Sequence, residues 1–310
     1  MSYQSKWKDL PTEAINPATL AIDRMAVVDI IDLIGQEDRR VVAAVHRERD
    51  RIAHGVEIIV NAFRRGGRLF LVGAGTSGRL GVLEAAEMPL TFGTSPKLVQ
   101  AILAGGQDAM FRSREGVEDN FEEGARSIAR LRVSKRDAVV GVSASGFTQF
   151  VRGALTAARK KGARIVFVTC WPGTELQNFV DLIIAPDVGP EVIAGSTRLK
   201  AGTATKMVLN ILSTGAMIRL GKTYGNLMVD LRASNSKLAD RARRIVRAVT
   251  NLTDQESERL LRDCGGEVKT AIVSHYTGKP SAEARRLLAA SEGHLRKALE
   301  GYPSNNGPLR

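Results

Sequence analysis

The chain is poor in the residues that mark several functional classes. It has two cysteines in 310 residues, Cys170 and Cys264, far apart in sequence. That spacing builds neither a disulfide framework nor a cysteine metal site. The four histidines, His46, His54, His275 and His294, also lack metal-ligand spacing. Aromatic residues amount to 5%, too few for a surface that stacks single-stranded nucleic acid. No run approaches the roughly 18 apolar residues of a membrane span. The opening MSYQSKWKDLPTEAIN has no apolar leader. These absences predict a soluble, cytoplasmic protein with no metal, no cofactor and no membrane partner.

Charge and apolar residues are plentiful. The net charge is +12 and hydrophobic residues make up 44%, enough for a sizeable core. The basic residues are densest around 39–51 and 232–247, where acids are mixed among them. Such mixing reads as solvated helix faces rather than a nucleic-acid surface, and leaves an anionic small molecule as a partner.

Short apolar runs alternate with helical patterns. Strands are expected at RLFLVG (68–73), KLVQAIL (97–103), DAVVGVSA (137–144), RIVFVTC (164–170) and DLIIAP (181–186). Helices are expected at 37–64, 77–87, 108–131, through FVRGALTAARKKG and at 200–221, with Gly66-Gly67 stopping the first. This alternation predicts an α/β fold, a doubly wound five-stranded parallel sheet. After about residue 238 only short helices are expected, one opened by a Thr253/Glu256 capping box. The expected divisions are an N-terminal arm and helix at 1–66, the sheet domain at 67–237, a small helical domain at 238–302 and a tail at 303–310.

The stretch LVGAGTSGRLG holds a G-x-G-x-x-G at Gly73, Gly75 and Gly78. A dinucleotide site wants an acid about 20 positions on, but the second strand ends QAILAGG without one. Gly75, Thr76 and Ser77 at the helix start suit another anion instead. SASGFT brings Ser143, Ser145 and Thr148 to the turn after the third strand. EVIAGSTRLK brings Glu191, Ser196, Thr197, Arg198 and Lys200 after the last. Hydroxyls often only cap helices, yet three such glycine-bearing loops at strand ends read as a phosphate cradle.

These blocks resemble the sugar isomerase (SIS) domain, and within it the N-acetylmuramic acid 6-phosphate etherases. GAGTSGRLGVLEAAEMPLTFG, AGGQDAMFRSREGVED, VVGVSASG, GSTRLKAGTATKMVLNILSTG and GNLMVDLRASNSKL carry the resemblance, as do TEAINPATLAIDRM and the helical C-terminal domain. It covers roughly residues 10–300. Two places depart from the family pattern. Phe147 and Gln149 stand where SASGRTPY has arginine and proline, and Met88, Pro89 and Leu90 stand where Cys-Pro-Pro follows the glutamate.

The resemblance implies removal of D-lactate from the C3 ether of a phosphorylated amino sugar, with Glu87 and Glu118 as the catalytic pair by motif position. Glu87 would assist lactate and then activate water; Glu118 would take the C2 proton. Two carboxyl groups with separated pKa values serve such roles without metal. Glu84 and Glu115 read as solvated. Glu87 follows Ser77 by ten positions, roughly 15 Å along a continuous helix. Pro89 disfavours helix at Met88, so either the chain turns at Glu87 or the site is shared by two subunits. The expectation is a homodimer with sites at the subunit interface. A sugar-phosphate isomerase using Glu191 and a non-enzymatic sugar-phosphate regulator are the rival readings.

Overall fold

The computed structural model describes residues 10–231 and 236–302; the expected tail at 303–310 lies outside them. The chain divides into two compact units. One runs up to Ala85 and resumes over Lys97–Ser213; the other comprises Ala86–Pro96 and everything from Thr214 onward.

The first unit opens with an arm of two 3-10 turns, then α1 (Val27–Arg47) and α2 (Arg49–Arg64). The single helix expected over 37–64 starts ten residues earlier and breaks at Glu48. A tertiary tie marks the break: the Ala185 amide donates to the Glu48 carboxylate at 3.0 Å.

The alternating segment follows as β1 (Leu69–Gly73), α3 (Gly75–Phe92), β2 (Val99–Leu103), α4 (Asp108–Phe111), α5 (Phe121–Arg130), β3 (Ala138–Val142), α6 (Gln149–Lys160), β4 (Arg164–Val168), β5 (Leu182–Ile184) and α7 (Lys200–Arg219). All five strands are parallel, in the order β2-β1-β3-β4-β5. The chain moves from β1 outward to β2, then returns to place β3 on β1's other side. The crevice between the ends of β1 and β3 is therefore the topological switch point, where such sheets bind ligands. The strands β1 and β3 are buried throughout, as their continuous apolar runs demand. Phe70, Val139 and Phe167 pack with Phe150, Ala154 and Leu155 of α6 in one core.

Two helix boundaries differ from expectation. The helix α3 does not stop at Glu87 but passes through Pro89 to Phe92; proline costs it one hydrogen bond without ending it. The helix expected over 108–131 is broken. Gly116 takes φ of +74°, a 3-10 turn holds Val117–Asp119, and the Asn120 side chain caps α5 by accepting from the Glu123 amide at 2.9 Å.

The second unit contains a hairpin, β6 (Thr223–Tyr224) with β7 (Leu227–Met228), and helices α8 (Ser236–Thr250), α9 (Asp254–Asp263), α10 (Val268–Thr277), α11 (Ser281–Ala290) and α12 (Leu295–Ala298). Val246, Ala271, Ile272 and Ala284 form its core. The capping box at Thr253 and Glu256 is present. Among the described residues no helix is long and apolar enough to cross a membrane.

Candidate active site

The first loop turns directly from β1 into α3. Gly75 adopts φ of +53°, a conformation that costs glycine little. Gly73 and Gly78 touch across the turn: a Cβ on Gly78 would stand 2.5 Å from the Gly73 carbonyl oxygen. This contact seats the helix N-terminus on the strand end. Thr76 and Ser77 are half-buried in its first turn, where free backbone N–H groups and the helix dipole favour an anion.

The second loop is partly self-supporting. The Ser143 hydroxyl is buried, lies 2.8 Å from the Thr148 hydroxyl and accepts the Gly146 amide at 3.1 Å. These two hydroxyls shape the loop. Ser145 stays half-buried, and its oxygen takes only a long bond, 3.4 Å, from the Phe147 amide. It is the loop's most available hydroxyl.

The third loop is built on buried charge. Glu191 accepts the Lys200 amide at 3.0 Å and the Ala201 amide at 2.9 Å, capping α7. Burial pushes its carboxyl upward, and the two amides and the Lys200 charge only partly offset that. Lys200, a phosphate candidate by sequence, turns inward instead. Its ammonium meets Glu37 of α1 at 2.5 Å, with both side chains nearly removed from solvent. Glu37 also accepts from Asn16 of the arm at 2.9 Å. Burial would raise the Glu37 carboxyl, but the Lys200 and Asn16 bonds and the Lys200 and Arg40 charges outweigh it and hold it low. Ser196 remains half-buried in the loop. The arm braces this segment through the Gly195 amide, which donates to the Thr12 carbonyl at 2.9 Å.

The loops converge. A Cβ on Gly202, at the start of α7, would lie 3.7 Å from the Thr76 methyl, which brings the third loop to the first. The Cys170 amide donates to the Ala144 carbonyl at 3.0 Å, and its thiol reaches the Ala201 carbonyl at 3.9 Å, which ties the second to the third. Burial, with the Glu191 and Asp187 charges, pushes that thiol up to about 12, so Cys170 is a brace rather than a nucleophile.

The four candidate glutamates separate. Glu118 is exposed in its 3-10 turn rather than on a helix. Its neighbour Val117 packs 3.3 Å from where a Cβ of Gly105 would be, just past β2, so Glu118 stands at the same carboxyl edge of the sheet as the loops. Glu87 is exposed on the outward side of α3. Among the described residues neither carboxylate has a hydrogen-bond or ion-pair partner. Glu115 is exposed as expected, but Glu84 is not solvated. It is buried, bridged by Lys206 at 2.8 Å and bonded by the Ser213 hydroxyl.

Comparison with known proteins adds the chemistry. The glucokinase regulatory protein N-terminal SIS domain model matches residues 51–159. An N-acetylmuramic acid 6-phosphate etherase of Rhodopirellula baltica is 48% identical over 290 residues, covering 94% of this chain and 96% of that protein. Those of Rippkaea orientalis and Synechococcus elongatus are 49% and 50% identical, over 96% and 95% of this chain and 97% and 96% of theirs. The chain belongs to the N-acetylmuramic acid 6-phosphate etherase family. The regulatory-protein match ends at residue 159, whereas the etherase alignments cover nearly the whole chain.

For an etherase-family chain, several residues that matter were not singled out by sequence. Glu37, Trp171 and the Lys206–Glu84 bridge all depend on partners far along the chain. The three-loop crest offers hydroxyls and helix N-terminal amides, a donor set suited to a phosphomonoester.

Proposed function

We propose that this protein cleaves the D-lactyl ether at C3 of N-acetylmuramic acid 6-phosphate, yielding N-acetylglucosamine 6-phosphate and D-lactate. The observation that carries this reading is the near-complete alignment with the etherases at about half identity. The phosphate would rest on Ser77, Ser145, Ser196 and the amides beginning α3 and α6. Thr76, Ser143, Thr148, Glu191 and Lys200 would hold these loops in shape.

In the open-chain form, C1 is an aldehyde and acidifies the C2 proton. Glu118 takes that proton. The C2 electrons form the C2–C3 double bond as the C3–O bond breaks, and the protonated Glu87 gives its proton to the departing lactate oxygen. The Glu87 carboxylate then deprotonates water, which adds to C3, and Glu118 returns a proton to C2. Both carboxyls end as they began, with one water consumed.

The helix α3 continues past Glu87, so the chain does not fold Glu87 back toward Ser77. Ten residues of helix separate them by roughly 15 Å, further than C3 lies from the 6-phosphate. This supports a homodimer in which one copy's Glu87 serves its partner's loops. The reaction suits cytoplasmic recycling of cell-wall amino sugars. Mass spectrometry after incubation with N-acetylmuramic acid 6-phosphate, with and without EDTA, tests the proposal. Equal release of D-lactate and N-acetylglucosamine 6-phosphate is expected in both; unaltered substrate would refute it.

A further inference from the structure

The second loop carries an aromatic pair that the phosphate cradle does not use. The Phe147 ring lies on the Trp171 ring with centroids 5.0 Å apart and planes inclined by 24°. Phe147 precedes α6 and Trp171 follows β4, so the pair spans the carboxyl edges of two neighbouring strands, β3 and β4. Both residues are half-buried. The backbone makes room for them. A Cβ on Gly146 would stand 3.0 Å from the Trp171 ring, and one on Gly173 would stand 3.0 Å from its indole nitrogen. The Trp171 amide donates to the Thr169 hydroxyl at 3.2 Å, which fixes the tryptophan's backbone.

Phe147 brings neither charge nor a side-chain N–H donor to this loop, whose other side chains, Ser143, Ser145 and Thr148, are uncharged hydroxyls. Lys200 is committed to Glu37 and Lys206 to Glu84. The cradle's donors in this loop are then neutral hydroxyls and amides, and more of the ligand's hold must come from its carbon skeleton. A sugar ring presents C–H groups on its faces, and aromatic side chains are the usual lining for such groups.

We propose that Phe147, held on Trp171, is the wall against which the sugar carbons of the bound phosphosugar pack, and so a specificity-determining residue of this site. The proposal rests on the phosphosugar reading above. It separates two contributions to affinity: the hydroxyl loops hold the phosphate, and the ring pair holds the sugar.

Calorimetric binding of N-acetylglucosamine 6-phosphate and of inorganic phosphate to the full-length protein tests this without requiring turnover. Phe147→Ala is expected to weaken the sugar phosphate roughly three- to tenfold and to leave inorganic phosphate unchanged. Phe147→Tyr should restore the sugar phosphate. Phe147→Leu, which keeps apolar bulk without a ring face, gives the same reading should the alanine variant fail to fold. The sequence has two tryptophans, Trp7 and Trp171, so a Trp7→Phe background isolates Trp171 emission. That emission should change with the sugar phosphate and not with inorganic phosphate. Equal weakening of both ligands would mean that Phe147 only shapes the loop; unchanged binding of both would mean that it touches neither. Either result overturns the proposal. A wild type that binds the sugar phosphate through Phe147 yet releases no lactate would uphold the wall and remove the etherase reading.

Discussion

Lys200 and Glu37 form an ion pair at 2.5 Å, with side-chain exposures of 1% and 4%. The pair joins the first residue of α7 to α1, and Asn16 extends it to the arm. Removing one partner leaves the other charge buried and unmatched, which typically costs about 3–5 kcal/mol. Lys200→Met should therefore lower the melting temperature sharply, whereas Lys200→Met with Glu37→Leu should lose much less. A double-mutant cycle by thermal or urea unfolding checks this; additive losses would contradict the pairing.

The same pair predicts a pH dependence. The Glu37 carboxyl is held below its ordinary value of 4.5 in the fold. Its contribution to stability is complete above that value and disappears as pH falls through the lowered one. Unfolding free energy followed from pH 6 downward should fall less steeply in Glu37→Gln than in the wild type. Parallel curves would show that Glu37 takes up no extra proton on acid unfolding.

Gly78→Ala probes the first loop. The new methyl would meet the Gly73 carbonyl oxygen at 2.5 Å and press on the half-buried Leu103 side chain, and the backbone atom does not yield easily. Overpacking of this kind costs about 1–3 kcal/mol. The variant should melt earlier and bind inorganic phosphate more weakly. Undiminished phosphate binding would detach this turn from the cradle.

Ser145→Ala removes the most available hydroxyl of the second loop with little structural consequence. A hydrogen bond to a charged group is worth roughly 1.5–3 kcal/mol, so the affinity for N-acetylglucosamine 6-phosphate should fall about tenfold or more. Ser143→Ala should instead show its loss as stability, because that hydroxyl holds Gly146 and Thr148. Isothermal calorimetry and melting curves on the two variants separate these roles; the reverse pattern would exchange them.

Much of the sheet was legible because its signals are local. The strand Leu69–Gly73 is a continuous apolar run stopped by glycine, and Thr253 with Glu256 marks a helix start within four residues. What was not legible depended on distant partners. Nothing near Glu84 in sequence shows that Lys206 and Ser213, more than 120 residues on, will bury it. Pro89 looks like a helix stop, but α3 carries it. Glu118 sits in a helical-looking stretch, and only Gly116 and the Asn120 cap, weak signals by themselves, give the turn its shape. Lys200 reads as a phosphate ligand by position, and only the fold brings Glu37 to it.

The proposed sharing of a site between two copies makes a prediction about mixtures. Glu87→Gln and Ser145→Ala subunits are each expected to be impaired, since one lacks the acid and the other the phosphate hydroxyl. Mixing them, with subunit exchange verified by native mass spectrometry, should regenerate one intact site per heterodimer and recover lactate release. Verified exchange without recovery would put both elements of a site in the same chain.

In the proposed mechanism Glu118 removes the C2 proton before Glu87 releases lactate. Mass spectrometry of N-acetylmuramic acid 6-phosphate reactions in deuterium oxide tests it most directly. The wild type should give N-acetylglucosamine 6-phosphate with one deuterium at C2. Glu118→Gln should neither exchange that hydrogen nor release lactate. Glu87→Gln should return substrate labelled at C2 with lactate release lowered about 10²–10⁴-fold. Product without deuterium at C2, or full lactate release by Glu87→Gln, would contradict the mechanism.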